Sequence, residues 1–154
     1  SKPNMYKSGV VDADNGGSSF SNIRTSTGSF VPIGMNKMVE RLEQRIATWS
    51  QIPVSHGEPI QVLRYEIGQE YQAHYDYFFH KGGMGNNRIA TVLMYLSDVD
   101  EGGETVFPNT ATPASRNETE FSKCGNGGMA VKPYKGDAIL FWSMKVGGEL
   151  DGGS

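Results

Sequence analysis

The chain has 154 residues with a formal net charge of -3, a length that predicts a single domain over residues 1–154. This charge excludes the strongly basic footprint of a nucleic-acid-binding protein, and no apolar run reaches the ~18–20 residues that cross a bilayer. We therefore expect no nucleic-acid partner and no membrane contact. The 20 glycines favour many turns over a helical bundle.

One helix and a series of strands are predicted in chain order. Residues 35–50 have apolar side chains at spacings of three or four, which is typical of a helix, and Trp49 on the apolar face is predicted to be a core residue. Trp142, in the last apolar segment, is also predicted to be a core residue. Branched and aromatic residues bounded by Gly and Pro predict strands at 61–65, 71–77, 89–96, 104–107, 129–132 and 138–142.

Three segments between these elements are predicted to be mobile loops, at about residues 12–22, 78–88 and 109–127. Several short strands with turn signals between them favour a β-sandwich or barrel with one helix packed outside.

The pair His74 and Asp76 carries the candidate chemistry. Both lie in the predicted strand 71–77, two positions apart, so their side chains are expected on the same face, with Tyr75 on the other. An imidazole and a carboxylate on one face are part of the 2-His-1-carboxylate triad that binds iron and leaves coordination positions open. A solvated or hydrogen-bonded pair without a catalytic role is the alternative that the pair by itself leaves open.

A composite pattern surrounds this pair and extends over nearly the whole chain. Its pieces are Arg24-Thr25-Ser26, Tyr65-x-x-Gly68-Gln69-x-Tyr71-x-x-His74-Tyr75-Asp76, Leu93-Met94-Tyr95-Leu96-Ser97, Gly102-Gly103-Glu104-Thr105, Val131-Lys132-Pro133 and Gly136-Asp137-Ala138. In order and spacing, the pattern closely resembles the plant and algal prolyl 4-hydroxylases. The resemblance implies a mainly β fold with a double-stranded β-helix (jelly-roll) core and a packed helix. It also implies an enzyme that hydroxylates proline at the 4-position in proline-rich or hydroxyproline-rich proteins of the secretory pathway (endoplasmic reticulum and Golgi).

The same resemblance implies the cofactors and their ligands. The family uses Fe(II), 2-oxoglutarate, O2 and ascorbate and releases succinate and CO2; Zn(II) can replace the iron at such a site. By position, His74 and Asp76 match the first two iron ligands. The implied lining of the 2-oxoglutarate pocket consists of Tyr65, Tyr95, Thr105 and Thr91. From the residues alone, a core tyrosine bonded to the backbone is the alternative for Tyr95.

A proline-rich substrate in the polyproline II conformation exposes carbonyl groups, which aromatic faces and donors such as arginine bind. The candidate peptide contacts, which match the family near the site, are Arg24, Ser26, Glu58, Tyr71, Tyr77 and Arg88. A solvated surface charge is an equal alternative for Arg24 and for Arg88.

The chain departs from the family pattern at its ends. In the family, a second iron-binding histidine and a lysine that pairs with 2-oxoglutarate follow the counterpart of residues 143–151, whereas this chain stops at Ser154. We therefore expect a fragment cut at both ends, and a protein that truly ended there to be inactive or nearly so. His80 lies close to Asp76 in sequence, but the family pattern argues against it as the third ligand.

Two other functions remain open at this point. One is a non-catalytic jelly-roll module that binds proline-rich peptides, with a vestigial metal site. The other is an oxygenase that acts on a different side chain, such as lysine.

Overall fold

The computed structural model of the protein describes residues 5–8, 10–11, 18–19, 24–78, 87–114 and 116–153. The described part is mainly β, with short strands and one α-helix. Contacts divide the chain into two compact units, Ser1–Gln72 and Ala73–Ser154. No helix in the described ranges is long and apolar enough to span a membrane.

The first unit is built on a three-stranded antiparallel sheet. In chain order, its elements are β1 (Tyr6–Lys7), β2 (Val10–Val11), β3 (Ser18–Ser19), β4 (Thr27–Val31), α1 (Lys37–Ser50) and β5 (Ile60–Arg64). The sheet order is β1-β4-β5, and β2 pairs separately with β3. The strand predicted at 61–65 is confirmed by β5. The sequence pattern did not predict β4, because its Gly and Ser residues weaken the strand signal and pairing with β5 defines it.

Helix α1 confirms the helix predicted over residues 35–50. It begins after Asn36, whose side-chain oxygen accepts hydrogen bonds from the backbone N–H of Met38 (2.9 Å) and Val39 (3.1 Å). This is the usual way in which an asparagine caps a helix N-terminus. The helix ends before Gln51, which has a left-handed backbone with φ of 60°.

The prediction that Trp49 lies in the core is wrong, since half of its surface (50%) is exposed. Met38, on the same apolar stripe, is also exposed. The helix packs mainly against the short 3-10 turn Val54–His56. A single turn is too small to cover the apolar stripe of a 14-residue helix.

The second unit consists of two antiparallel strand pairs. In chain order, its strands are β6 (Ala90–Met94), β7 (Thr105–Phe107), β8 (Met129–Val131) and β9 (Ala138–Trp142). β6 pairs with β9 and β7 with β8, and the rings of Phe107 and Phe141 join the two pairs edge to face at 5.1 Å. The four strand predictions in this unit are confirmed. The prediction that Trp142 is a core residue is wrong, since 46% of its surface is exposed.

The strand predicted over residues 71–77 is wrong. Tyr71 forms only an isolated antiparallel bridge with Arg24, and the residues that follow it form bends rather than a ladder. The composition favours a strand, but composition does not supply a neighbouring strand to pair with.

Contacts organise the predicted loop 109–127. The Glu104 carboxylate accepts hydrogen bonds from the N–H (2.8 Å) and the hydroxyl (2.7 Å) of Ser122. The Arg116 guanidinium lies 3.9 Å from the Phe121 ring centroid and donates to the Gly125 carbonyl.

In the other two predicted loops, residues 12–17, 20–22 and 79–86 lie outside the described residues. The mobility of the three loops and the single domain stay predictions.

Gly128 lies where a side chain would collide with backbone. An added Cβ would overlap the carbonyl oxygen of Phe107 and lie 2.7 Å from the Cα of Pro108. We expect G128A to lower the free energy of unfolding by about 1–3 kcal/mol, the usual cost of overpacking. G127A is the matched control because its Cβ would meet nothing within 4 Å. Urea denaturation measures both, and equal stabilities would contradict the close packing.

Glu104 predicts a pH dependence of stability. Burial raises the pKa of its carboxyl, but hydrogen bonds from Ser122 and the charge of Lys132 outweigh burial and place this pKa below its ordinary value. The folded state therefore favours the ionised form, and this stabilisation is lost as the pH falls through the lowered pKa. We expect wild type to exceed E104Q in stability at neutral pH, with the difference shrinking below about pH 4. E101Q, at an exposed position in the same turn, is the control; a difference independent of pH would contradict this assignment.

Candidate active site

His74 and Asp76 approach each other near the start of the second unit. The Nε2 atom of His74 lies 3.3 Å from the Oδ1 atom of Asp76, and the two side chains are 35% and 20% exposed. No regular strand forms at residues 72–78. The two side chains are therefore brought together by the bends of this segment and not by the alternation of side chains along a strand.

The second oxygen of Asp76 is bound by Thr91. The Oγ1 atom of Thr91, within β6, donates to Oδ2 of Asp76 at 2.5 Å. Burial raises the pKa of Asp76, but hydrogen bonds from His74 and Thr91 and the charges of His74 and Arg88 outweigh it, and the net pKa is lowered. Asp76 is therefore ionised at neutral pH and available as a ligand for a cation.

An imidazole nitrogen beside an ionised carboxylate oxygen fits two positions of the facial triad that binds Fe(II). Within the described ranges, no group of three or more His, Cys, Asp or Glu side chains could hold a metal ion. The described residues thus supply a pair of ligands. His80 lies outside the described residues, and its exclusion as a ligand stays a prediction.

Tyr95 and Thr105, two of the residues predicted to line the 2-oxoglutarate pocket, are in direct contact. The buried Tyr95 side chain donates its hydroxyl to Oγ1 of Thr105 at 2.8 Å. Burial and the negative charge of Asp137 raise the pKa of Tyr95. The hydrogen bond with Thr105 lowers this pKa by less, so the pKa is raised above its ordinary value. The phenol is therefore neutral at physiological pH. The alternative reading of Tyr95 is correct in that Tyr95 is a core residue, but it is wrong about the partner of the hydroxyl, which is a side chain and not the backbone.

Thr91, the third of these residues in the second unit, lies within β6, and Tyr95 follows directly after the last residue of that strand. The backbone of Tyr95 extends the pairing through hydrogen bonds with Gly136 and Asp137, so residues 91 and 95 are expected on the same face. Tyr65 lies in the first unit, directly after β5, and is partly exposed. Its role in the pocket stays a prediction.

Three predicted peptide contacts form a polar cluster in the first unit. The Arg24 guanidinium lies 4.7 Å from the Tyr71 ring centroid and donates to Oγ of Ser26 (3.3 Å) and to the side-chain oxygen of Gln61 (3.2 Å). Arg24 is only 7% exposed, so the alternative of a solvated surface charge is wrong for it. Ser26 is fully buried and donates to Oγ of Ser8. Both side chains are covered in this conformation, and their contact with a peptide stays a prediction.

The other predicted peptide contacts have different environments. Glu58 is exposed after the 3-10 turn of the first unit. In the second unit, Tyr77 is buried and its ring stacks on Tyr75 at 4.9 Å between centroids. Arg88 is half-buried, with its guanidinium carbon 5.0 Å from the Phe78 ring centroid. Their contact with a peptide likewise stays a prediction.

Two asparagines that support the site were missed by sequence reasoning. Asn87 accepts a hydrogen bond from the N–H of Phe78 (2.7 Å) and donates to its carbonyl (2.9 Å), which ties the segment after Asp76 to the residues before β6. Asn109 donates to the Tyr75 hydroxyl (3.3 Å) and to the carbonyl of Gly152 (2.9 Å). No spacing rule marks either residue, since both act on partners distant in sequence.

Residues 60–147, more than half of the chain, match the family described as the 2OG-Fe(II) oxygenase superfamily. The matched range contains the pair of candidate iron ligands together with Thr91, Tyr95 and Thr105. The chain belongs to the 2OG-Fe(II) oxygenase superfamily.

Within this superfamily, the chain is similar to prolyl 4-hydroxylases of Arabidopsis thaliana, which confirms the resemblance to the plant-type enzymes. It is 53% identical to probable prolyl 4-hydroxylase 10 over 154 residues, which cover 97% of this chain and 53% of the relative. It is 51% identical to prolyl 4-hydroxylase 5 (97% and 53% covered) and 47% identical to prolyl 4-hydroxylase 2 (94% and 50% covered). The chain thus spans about half the length of these curated relatives.

The hydrogen bond between Tyr95 and Thr105 predicts coupled stability effects. We expect Y95F and T105V each to lower the free energy of unfolding by about 1 kcal/mol, because each removes one partner of the same bond. The double variant should cost less than the sum of the two changes. Y134F, at an exposed tyrosine, is the control. Denaturant unfolding of the four variants tests this, and strictly additive effects would show that the bond does not form.

Proposed function

We propose that the protein acts as a peptidyl-proline 4-hydroxylase that uses Fe(II), 2-oxoglutarate and O2. The observation that carries the proposal is the His74 Nε2 and Asp76 Oδ1 pair, 3.3 Å apart, in a chain about half identical to prolyl 4-hydroxylases. The hydrogen bond from Thr91 to Oδ2 of Asp76 supports it, since it holds the carboxylate beside the imidazole.

In the proposed enzyme, His74 and Asp76 hold the iron and leave coordination positions open. When bound, Fe(II) would supply activation of O2, the oxidant that converts 2-oxoglutarate to succinate and CO2 and hydroxylates proline at C4. The chain's own residues would bind the metal (His74 and Asp76) and orient the Asp76 carboxylate (Thr91).

The hydroxyl pair of Tyr95 and Thr105 is the proposed contact for 2-oxoglutarate in this unit. Tyr95 donates its single O–H to Oγ1 of Thr105, and the O–H of Thr105 is the one that can donate to a carboxylate. The raised pKa of Tyr95 keeps its proton in place, and a neutral phenol is a donor that does not repel an anion.

Several finer features belong to the same proposal. We propose a double-stranded β-helix core, which the antiparallel pairs β6-β9 and β7-β8 support. Ascorbate as a reductant, replacement of the iron by Zn(II) and location in the secretory pathway rest on the family resemblance. A prolyl residue of a peptide or protein as the substrate is supported by the prolyl 4-hydroxylase names of the relatives. The proline-rich sequence of that substrate and its polyproline II conformation rest on the family resemblance.

The test compares H74A with wild type in the full-length protein. We expect H74A to lose hydroxylation of a proline-rich peptide by at least about 100-fold, since it removes a metal ligand. H56A, at an exposed histidine of the 3-10 turn in the first unit, is the matched control. Mass spectrometry of reacted proline-rich and lysine-containing peptides measures the product, and peptide affinity is measured in parallel.

Each alternative function has its own outcome. Hydroxylation by H74A at the wild-type rate would overturn the metal assignment. Products confined to lysine would overturn the substrate. Tight binding of the proline-rich peptide by wild type without turnover, unchanged in H74A, would show a binding module.

A further inference from the structure

The Thr91 side chain is held in a defined place beside Asp76. Thr91 is the second residue of β6 and lies opposite Phe141 of β9 in the antiparallel ladder. It is half-buried, and a β-branched side chain on a paired strand has few rotamers. Its hydroxyl is therefore held in a fixed position where it donates a hydrogen bond to Asp76, 15 residues earlier in the chain.

The two oxygens of Asp76 have different partners. Oδ2 accepts the hydrogen bond from Thr91 at 2.5 Å, whereas Oδ1 lies 3.3 Å from the Nε2 atom of His74. The carboxylate is therefore oriented, with one oxygen bound by the strand and the other directed to the imidazole. A carboxylate without the Thr91 bond could rotate and exchange the two oxygens.

We propose that Thr91 is a positioning residue for the metal: its hydroxyl holds Oδ2 of Asp76, so that Oδ1 is the oxygen that binds Fe(II). This inference rests on the proposed function of the His74 and Asp76 pair. One-oxygen binding by Asp76 uses a single coordination position and leaves others open for cosubstrate and O2.

This role differs from the lining of the 2-oxoglutarate pocket that the family resemblance implies for Thr91. A threonine hydroxyl has a single O–H to donate, and Thr91 donates it to Asp76. Only its lone pairs remain, and these repel the carboxylates of 2-oxoglutarate. Thr91 thus acts through Asp76, while the donors to the cosubstrate come from other residues.

The experiment uses the full-length protein and three substitutions. T91V keeps the shape of the side chain and removes the hydroxyl, whereas T91S keeps the hydroxyl. T110V is the matched control, because Thr110 also donates a part-buried hydroxyl within this unit, to the carbonyl of Gly153 at 3.0 Å. The readout is binding of Co(II) alone, followed by its electronic absorption, with unfolding measured on each apo-protein.

We expect T91V to weaken Co(II) affinity by about 10–100-fold, the usual effect of removing a group that orients a metal ligand. T91S and T110V should bind Co(II) as wild type does. Wild-type affinity in T91V would overturn the proposal, even if the apo-protein were less stable. A higher KM for 2-oxoglutarate in T91V with unchanged Co(II) affinity would also overturn it, in favour of the pocket role.

The outcome separates this proposal from the proposed function. Loss of Co(II) affinity in both H74A and T91V supports the role of Thr91, even if no proline is hydroxylated; in that case only the proposed reaction fails. Equal Co(II) binding by wild type, H74A and T91V would overturn the metal centre and the role of Thr91 together.

Discussion

The site depends on how the charge of a single half-buried carboxylate is compensated. Burial penalises an ionised Asp76, and hydrogen bonds with His74 and Thr91 outweigh that penalty, so its pKa is lowered. The Thr91 bond also sets geometry, because it joins the bends around residue 75 to the paired strand β6. The hydrogen bond from Thr91 therefore has two effects: it stabilises the ionised Asp76 carboxylate, and it fixes the orientation of this candidate metal ligand.

Strand β6 is the rigid element behind both parts of the chemistry. It is paired with β9 along its whole length, and the backbone of Tyr95 continues the contact through hydrogen bonds with Gly136 and Asp137 (2.9 Å each). Thr91 of β6 bonds the Asp76 carboxylate and Tyr95, directly after β6, bonds Thr105, so one segment of the chain supports both contacts. Sites built on paired strands are held more precisely than sites built on loops.

Sequence patterns predicted a helix or strand well where the signal lies within the segment itself. Helix α1 and strands β5 to β9 appear within a few residues of the predicted bounds, because periodicity and turn residues record how a segment folds by itself. Trp49 shows the limit of that reasoning: its place on the apolar stripe is correct, but burial depends on a partner that the stripe does not specify. The bends at residues 72–78 show the same limit for strand composition, which does not supply a pairing partner.

The sequence by itself determined the family, the candidate ligand pair and the residue types around it, since these depend on identity and spacing. Only the tertiary structure decided which oxygen of Asp76 meets His74 and which meets Thr91, and that Tyr95 donates to Thr105. The hydrogen bonds of Thr91 with Asp76 and of Tyr95 with Thr105 join residues 15 and 10 positions apart, and ladder register and turn geometry set them. The local sequence around Thr91 is compatible with lining the 2-oxoglutarate pocket and with orienting Asp76. The direction in which its single O–H donates distinguishes the two roles.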